Sequence, residues 1–180
     1  MAIEPDSKNW TWVLDEVCPE CGFDASSVDR LRMGELVRAN AAQWPGLITA
    51  PDAADRPTPS QWSALEYGCH IRDVFRLFDE RLRLMLETDD PDFENWDQDV
   101  TAVEERYGEQ DPETVAVEVV AAGERCAVRW ERVGDDQWAR AGFRSDGSAF
   151  TVDSFARYFL HDPVHHLADV DRGNAILRGS

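Results

Sequence analysis

Between residues 60 and 86, apolar side chains return at three- and four-residue steps: Leu65, Ile71, Phe75, Phe78, Leu82 and Met85. That period marks one face of a long α-helix, and such a stripe has to be buried against other elements. Ser60 is its expected N-cap and Leu86 its expected end. Partners exist on both sides. Upstream, Ser26 or Ser27 caps an expected helix carrying Val28, Leu31, Leu36, Val37 and Trp44, which Pro45-Gly46 should stop. Downstream, Pro112 fits the first turn of a helix through Val115, Val119, Cys126 and Trp130. A fourth helix follows Val152, opened by Phe155, Phe159 and Leu160.

The links are irregular. "PDAADRPTPSQW" carries prolines that do not belong inside a helix. Residues 88–111 are acidic and interrupted, and "WARAGFRSDGSAFTV" alternates around Asp146-Gly147, a dipeptide favoured in hairpin turns. The pattern predicts an all-α fold: a four-helix bundle over residues 26–180 with a small β-hairpin before the last helix. Residues 1–25 form an irregular arm. Its Trp10, Trp12, Val13 and Leu14 are too apolar to be left in water, so it should lie on the domain.

Lys and Arg number 18 against 36 Asp and Glu, a formal charge of −18. A field of that sign repels nucleic acid and anionic lipid, so a small molecule is the expected partner. No apolar stretch approaches the length of a membrane helix. The segment "MAIEPDSKNW" has no cationic run followed by an apolar one, and a cytoplasmic location is expected. Cys18, Cys21, Cys69 and Cys126 are too few for a disulfide scaffold and are expected to be reduced.

All four histidines, His70, His161, His165 and His166, fall in the second and fourth predicted helices. His161 and His165 are spaced i, i+4, which lets two imidazoles on one helix face share a metal, whereas His166 points to a different face. If the two helices pack together, His70 can join His161 and His165 and leave positions open for water or substrate. Such a set is reactive rather than closed. The alternative is hydrogen-bonded core histidines. Pro163 inside the motif deletes one backbone hydrogen bond and is expected to kink the helix.

The pairing of "WSALEYGCHIRDV" with "YFLHDPVHHLADV" resembles the DinB/YfiT-like superfamily, which includes mycothiol-dependent maleylpyruvate isomerase. The resemblance runs from residue 26 to about residue 173. It implies an up-down-down-up bundle in which His70, His161 and His165 bind a divalent metal: zinc, nickel or iron. It also implies thiol-dependent transfer or isomerisation, with a low-molecular-weight thiol such as mycothiol attacking a small electrophile. A metal-dependent hydrolase and a non-catalytic ligand-binding bundle with vestigial histidines are the alternatives. Family habit further implies a homodimer.

Other residues complete the expectation. Glu66, one turn before His70, is placed to accept a hydrogen bond from it or carry a proton, or simply to cap its helix. Arg140 and Arg144, near the hairpin, can hold a carboxylate of substrate or thiol cofactor. Asp169 can pair with His166 at i+3. Cys18-Pro19-Glu20-Cys21-Gly22 has the form of half a zinc ribbon. Its expected second half is missing, because Cys69 and Cys126 stand far apart inside predicted helices. The segment therefore reads first as a reduced turn on an arm able to cover the mouth of the site, with a redox-active pair, a disulfide and, last, a mixed metal site recruiting other cysteines as the alternatives.

Overall fold

The computed structural model describes residue 3 and residues 9–179. Its first part departs from the expected helix at Ser26. Asp24 and Asp29 each accept a hydrogen bond from an amide two residues on, Ser26 and Leu31, and hold the chain in short 3-10 turns at Ala25–Ser27 and Arg30–Arg32. Such local side-chain bonds compete with helix. Helix α1 therefore begins only at Met33 and runs to Ala41, and Leu31 is left 73% exposed. Pro45-Gly46 does not end it but lies inside the next helix, α2 (Trp44–Ile48). Proline is tolerated in a first turn because the amide it lacks would have had no partner there.

The long apolar stripe forms α3 (Ala64–Glu87), capped by Ser63 rather than Ser60. Ser63 and Glu66 make a reciprocal capping box: the Glu66 amide donates to the Ser63 hydroxyl and the Ser63 amide donates to the Glu66 carboxylate. A two-residue strand β1 (Asp92–Phe93) and a short helix α4 (Gln98–Glu104) follow. Helix α5 (Pro112–Trp130) starts at Pro112 as the sequence predicts, with Asp111 accepting from the Thr114 amide. Strands β2 (Ala141–Arg144) and β3 (Ala149–Thr151) form the expected hairpin, and α6 (Val152–Leu177) continues unbroken through Pro163.

The bundle closes by packing α3 against α5 and α6, and α1 against α5 and α6. Helices consecutive in the bundle, α1 then α3, and α5 then α6, thus sit diagonally, and their links have to cross the bundle ends. At its centre Phe78 stacks on Phe155 and Phe159, with ring centroids 4.9 Å apart in each pair, and Trp130 stacks on Phe159 at 6.0 Å. Each such fully buried aromatic contributes about 1.5–3 kcal/mol. Gly123 lets α5 come close to α1, since a Cβ there would lie 2.5 Å from that of Ala41.

The link between α5 and α6 carries the hairpin, whose register pairs Ala141 with Thr151 and Phe143 with Ala149. Gly147, at φ +92°, completes its turn. β1 adds in parallel to β2, a third strand absent from the sequence expectation. The arm lies along α6: Arg172 donates to the Glu20 carbonyl at 2.9 Å and Arg157 to that of Ala25 at 3.2 Å. Among the described residues no helix is long and apolar enough to cross a membrane.

Candidate metal centre

The segment His161-Asp162-Pro163-Val164-His165-His166 of α6 holds two overlapping i, i+4 pairs: His161 with His165, and Asp162 with His166. At about 100° per residue they face different directions. The structure sends them to two separate groups of potential ligands. His70 of α3 meets Asp162 and His166, whereas His161 and His165 meet Cys18 and Cys21 of the arm, and in each group the donor atoms lie within 4.8 Å of one another. The expected trio of His70, His161 and His165 is thereby divided. α6 is turned so that Asp162 and His166 continue the core stripe of Phe155, Phe159 and Val170 toward α3.

In the first group His70 Nε2 lies 3.2 Å from Asp162 Oδ1, and His166 Nε2 lies 3.7 Å from the same oxygen. The other nitrogen of His166, Nδ1, donates to Asp169 at 2.7 Å, and Arg172 in turn donates to Asp169 at 2.5 Å. This fixes the ring with Nε2 facing inward, an arrangement typical of metal-bound histidine. His70 is fully buried between Trp62 and Trp96, with ring centroids at 5.3 Å on each side, and its Nδ1 has no hydrogen-bond partner among the described residues. Burial lowers the His70 pKa despite the opposing Asp162 charge, so the imidazole is neutral at pH 7. Burial pushes Asp162 up, but His70 and His166 outweigh it and keep the carboxylate ionised. Two imidazoles and one carboxylate fit a divalent cation and leave further positions free.

Asp162 and His166 stand on the wall of a cleft of about 820 Å³, which also has Trp96, Arg81, Arg144 and Tyr158 on its walls. Arg144 is held by Asp146 and by the Tyr158 hydroxyl at 2.9 Å. Arg81 is buried with its guanidinium over the Phe93 ring at 4.9 Å and donates to the Glu94 carbonyl at 2.5 Å. Among the described residues it has no carboxylate partner. Burial, then the neighbouring Arg144, pushes its pKa down to about 10, leaving it charged at neutral pH.

The second group is built from the arm. Cys18 Sγ lies 3.6 Å from His165 Nδ1, and the rings of Trp10 and Phe23 cover His161 at 5.3 and 5.4 Å. Burial pushes the Cys21 thiol up to about 11 and the His161 imidazole down to about 4, so both are neutral at pH 7.

A model of the DinB superfamily matches residues 34–170, a span that holds His70, Asp162 and His166. The chain belongs to the DinB superfamily. Among solved structures it is similar to YfiT from Bacillus subtilis, described as a probable metal-dependent hydrolase with an unusual four-helix bundle topology. The two share 16% identity with a TM-score of 0.69, over 99% of this chain and 94% of the other. No curated protein matches the chain.

In this DinB-superfamily chain the remaining expected site residues separate cleanly. Arg144 reaches the cleft. Arg140 does not: it donates to the carbonyls of Met85 and Thr88 and pairs with Asp89, so it closes the end of α3 instead. Glu66 does not line the cleft either, because its carboxylate is taken up by the capping box and by Arg56. Cys69 is core, its thiol 3.7 Å from the Tyr107 carbonyl. Asp162 and Arg81 are the residues sequence reasoning passed over. The signal for Asp162 is its spacing of seven from Phe155. For Arg81 it is a spacing of three from Phe78, which carries its stem into the apolar face.

Proposed function

We propose that the chain is a divalent-metal-dependent hydrolase acting on small anionic substrates, with His70, Asp162 and His166 as metal ligands. The observation that carries this reading is the convergence of those three donors, with Asp162 and His166 on the wall of an open cleft that also holds two arginines and His70 buried behind them. A metal bound there would supply Lewis acidity and a water of lowered pKa. The protein's own groups do the rest. Asp169 holds the His166 ring so that Nε2 faces inward, and burial keeps His70 neutral and able to donate a lone pair. Arg81, which has no carboxylate partner among the described residues, and Arg144 receive the substrate's negative charge. Trp96, stacked on His70, limits access of bulk water to that side. The description of YfiT as a probable metal-dependent hydrolase supports the same class.

The donor set suits zinc and iron, with nickel a further choice. The test is turnover of carboxylate-bearing esters and amides by chain reconstituted with each metal, run with and without a low-molecular-weight thiol. Metal-dependent hydrolysis that is lost in His166→Ala supports the reading. Turnover that requires the thiol replaces it with thiol transfer of the mycothiol type, which uses the same ligands and cleft. Absence of any metal-dependent turnover overturns both.

A further inference from the structure

We propose that Cys18, Cys21, His161 and His165 form a second, closed metal site, a tetrahedral zinc(II) centre that pins the N-terminal arm to α6. The turn around the cysteines has the shape such a site needs. The Gly22 amide donates to the Cys18 carbonyl at 2.8 Å and the Cys18 amide donates to the Phe23 carbonyl at 2.9 Å, so the chain doubles back on itself. Gly22 sits at φ +74°, a conformation other residues rarely adopt, and the Phe23 backbone hydrogen-bonds to the Cys21 thiol. The two thiols are thereby presented together to the His161–His165 face of α6, and all four donors fall within 4.8 Å of one another.

The distance between Cys18 Sγ and the nearer nitrogen of His165 agrees with zinc. A sulfur and a nitrogen bound tetrahedrally, at about 2.3 Å and about 2.0–2.1 Å, stand about 3.6 Å apart. Cys18 Sγ and His165 Nδ1 are 3.6 Å apart. The distal nitrogen of His165, Nε2, faces the carboxylates of Glu20 and Asp169, each at 3.6 Å, which directs Nδ1 toward the sulfurs. His161 is 4% exposed and its Nε2 has no hydrogen-bond partner among the described residues, an orphan that a metal bond would satisfy.

Two thiolates neutralise one zinc ion, so the site can be buried without adding net charge once two protons have left for solvent. Four protein ligands leave no place for substrate, which makes the role structural. Both cysteines lie outside residues 34–170, so the family match does not supply this site. Its consequence reaches the cleft, because Asn9 and Trp10 of the pinned arm form part of the cleft wall.

The test uses the full chain, purified under reductant, loaded with zinc and desalted. His166→Ala removes the open site, and in that background about one zinc per chain should remain. Adding Cys18→Ser or His161→Ala should lose that equivalent. Cobalt(II) gives a readout without any cysteine substitution: the wild-type chain should show thiolate-to-cobalt charge transfer in the near ultraviolet and the strong visible bands of tetrahedral sulfur ligation. Wild-type chain with no thiolate-to-cobalt absorption overturns the proposal. So does zinc in the His166→Ala background that survives loss of both cysteines, or a Cys18–Cys21 disulfide that forms in the presence of excess zinc.

Discussion

Asp162 Oδ1 lies 3.2 Å from His70 Nε2, although 92 residues separate the two and Asp162 sits directly beside a histidine that faces elsewhere. With that contact, Asp162 and His166 face α3 while His161 and His165 face the arm. Asp169, one turn beyond His166, is then the support on which the open site depends. Asp169→Asn should keep the fold and weaken metal binding at that site about 10–100-fold. Competition against a chelator, in protein whose arm cysteines are replaced by serine, measures this directly. An unchanged affinity would show that the Asp169–His166 contact serves only the helix.

Arg81 offers a split between function and stability. Its guanidinium is buried with no carboxylate partner among the described residues, so Arg81→Met removes a desolvated charge while keeping much of the stem's volume. The thermal midpoint should stay level or rise. The KM for carboxylate substrates should climb about 10–100-fold, from the loss of a charged hydrogen bond of ~1.5–3 kcal/mol, with kcat changing less. A fall in stability with KM unchanged would reassign Arg81 to structure.

Much of this architecture is legible in residue spacing. The stripe from Leu65 to Met85 defines α3, Pro112 marks the start of α5, and Asp146-Gly147 marks the hairpin. What spacing misses is decided by local or long-range contacts. The turns at residues 25–32 follow from Asp24 and Asp29 taking nearby amides, and β1 is too short to carry a pattern of its own. At the candidate site, i, i+4 spacing marks α6 as a helix carrying potential ligands but fits two pairs equally well. The choice lies in phase: Phe155, Phe159, Asp162, His166 and Val170 form one stripe, and His161 and His165 fall beside it. Cys-x-x-Cys has no second cysteine pair to meet, and the face of α6 that it meets is the one carrying His161 and His165.

Glu66 tests the structural assignment through pH. Burial raises its pKa, but the Arg56 guanidinium and the Ser63 amide and hydroxyl outweigh burial and hold the carboxyl below its ordinary value of about 4.3. A group whose pKa is lowered by folding contributes stability above its unfolded value, and that contribution disappears as pH falls through the folded one. Glu66→Gln should therefore cost ~1–3 kcal/mol at pH 7 and flatten the loss of stability below about pH 4.3. Activity per folded molecule should not change. Denaturant titrations at pH 7 and across the acid limb, with parallel assays, distinguish this from a proton-carrying role, in which activity would fall while the acid limb kept its slope.

Asn40 holds the ligand helix at its weakest turn. Its side-chain amide donates to the Pro163 carbonyl at 2.9 Å, and its carbonyl accepts from Trp44 Nε1 at 2.9 Å, so one buried residue ties α1, α2 and α6 together. Pro163 has no amide to close the turn that begins at Phe159, and the anchor from α1 fixes the backbone between Asp162 and His165 from outside. Asn40→Ala leaves the Trp44 indole N–H buried without a partner and should cost about 1–3 kcal/mol. Because ligands of both groups flank Pro163, the same substitution should weaken metal binding at both sites together, whereas Asp169→Asn acts mainly on the open site through His166. Titration of the Asn40→Ala chain with zinc checks this. Weakening confined to one site would show that the two i, i+4 pairs are positioned independently.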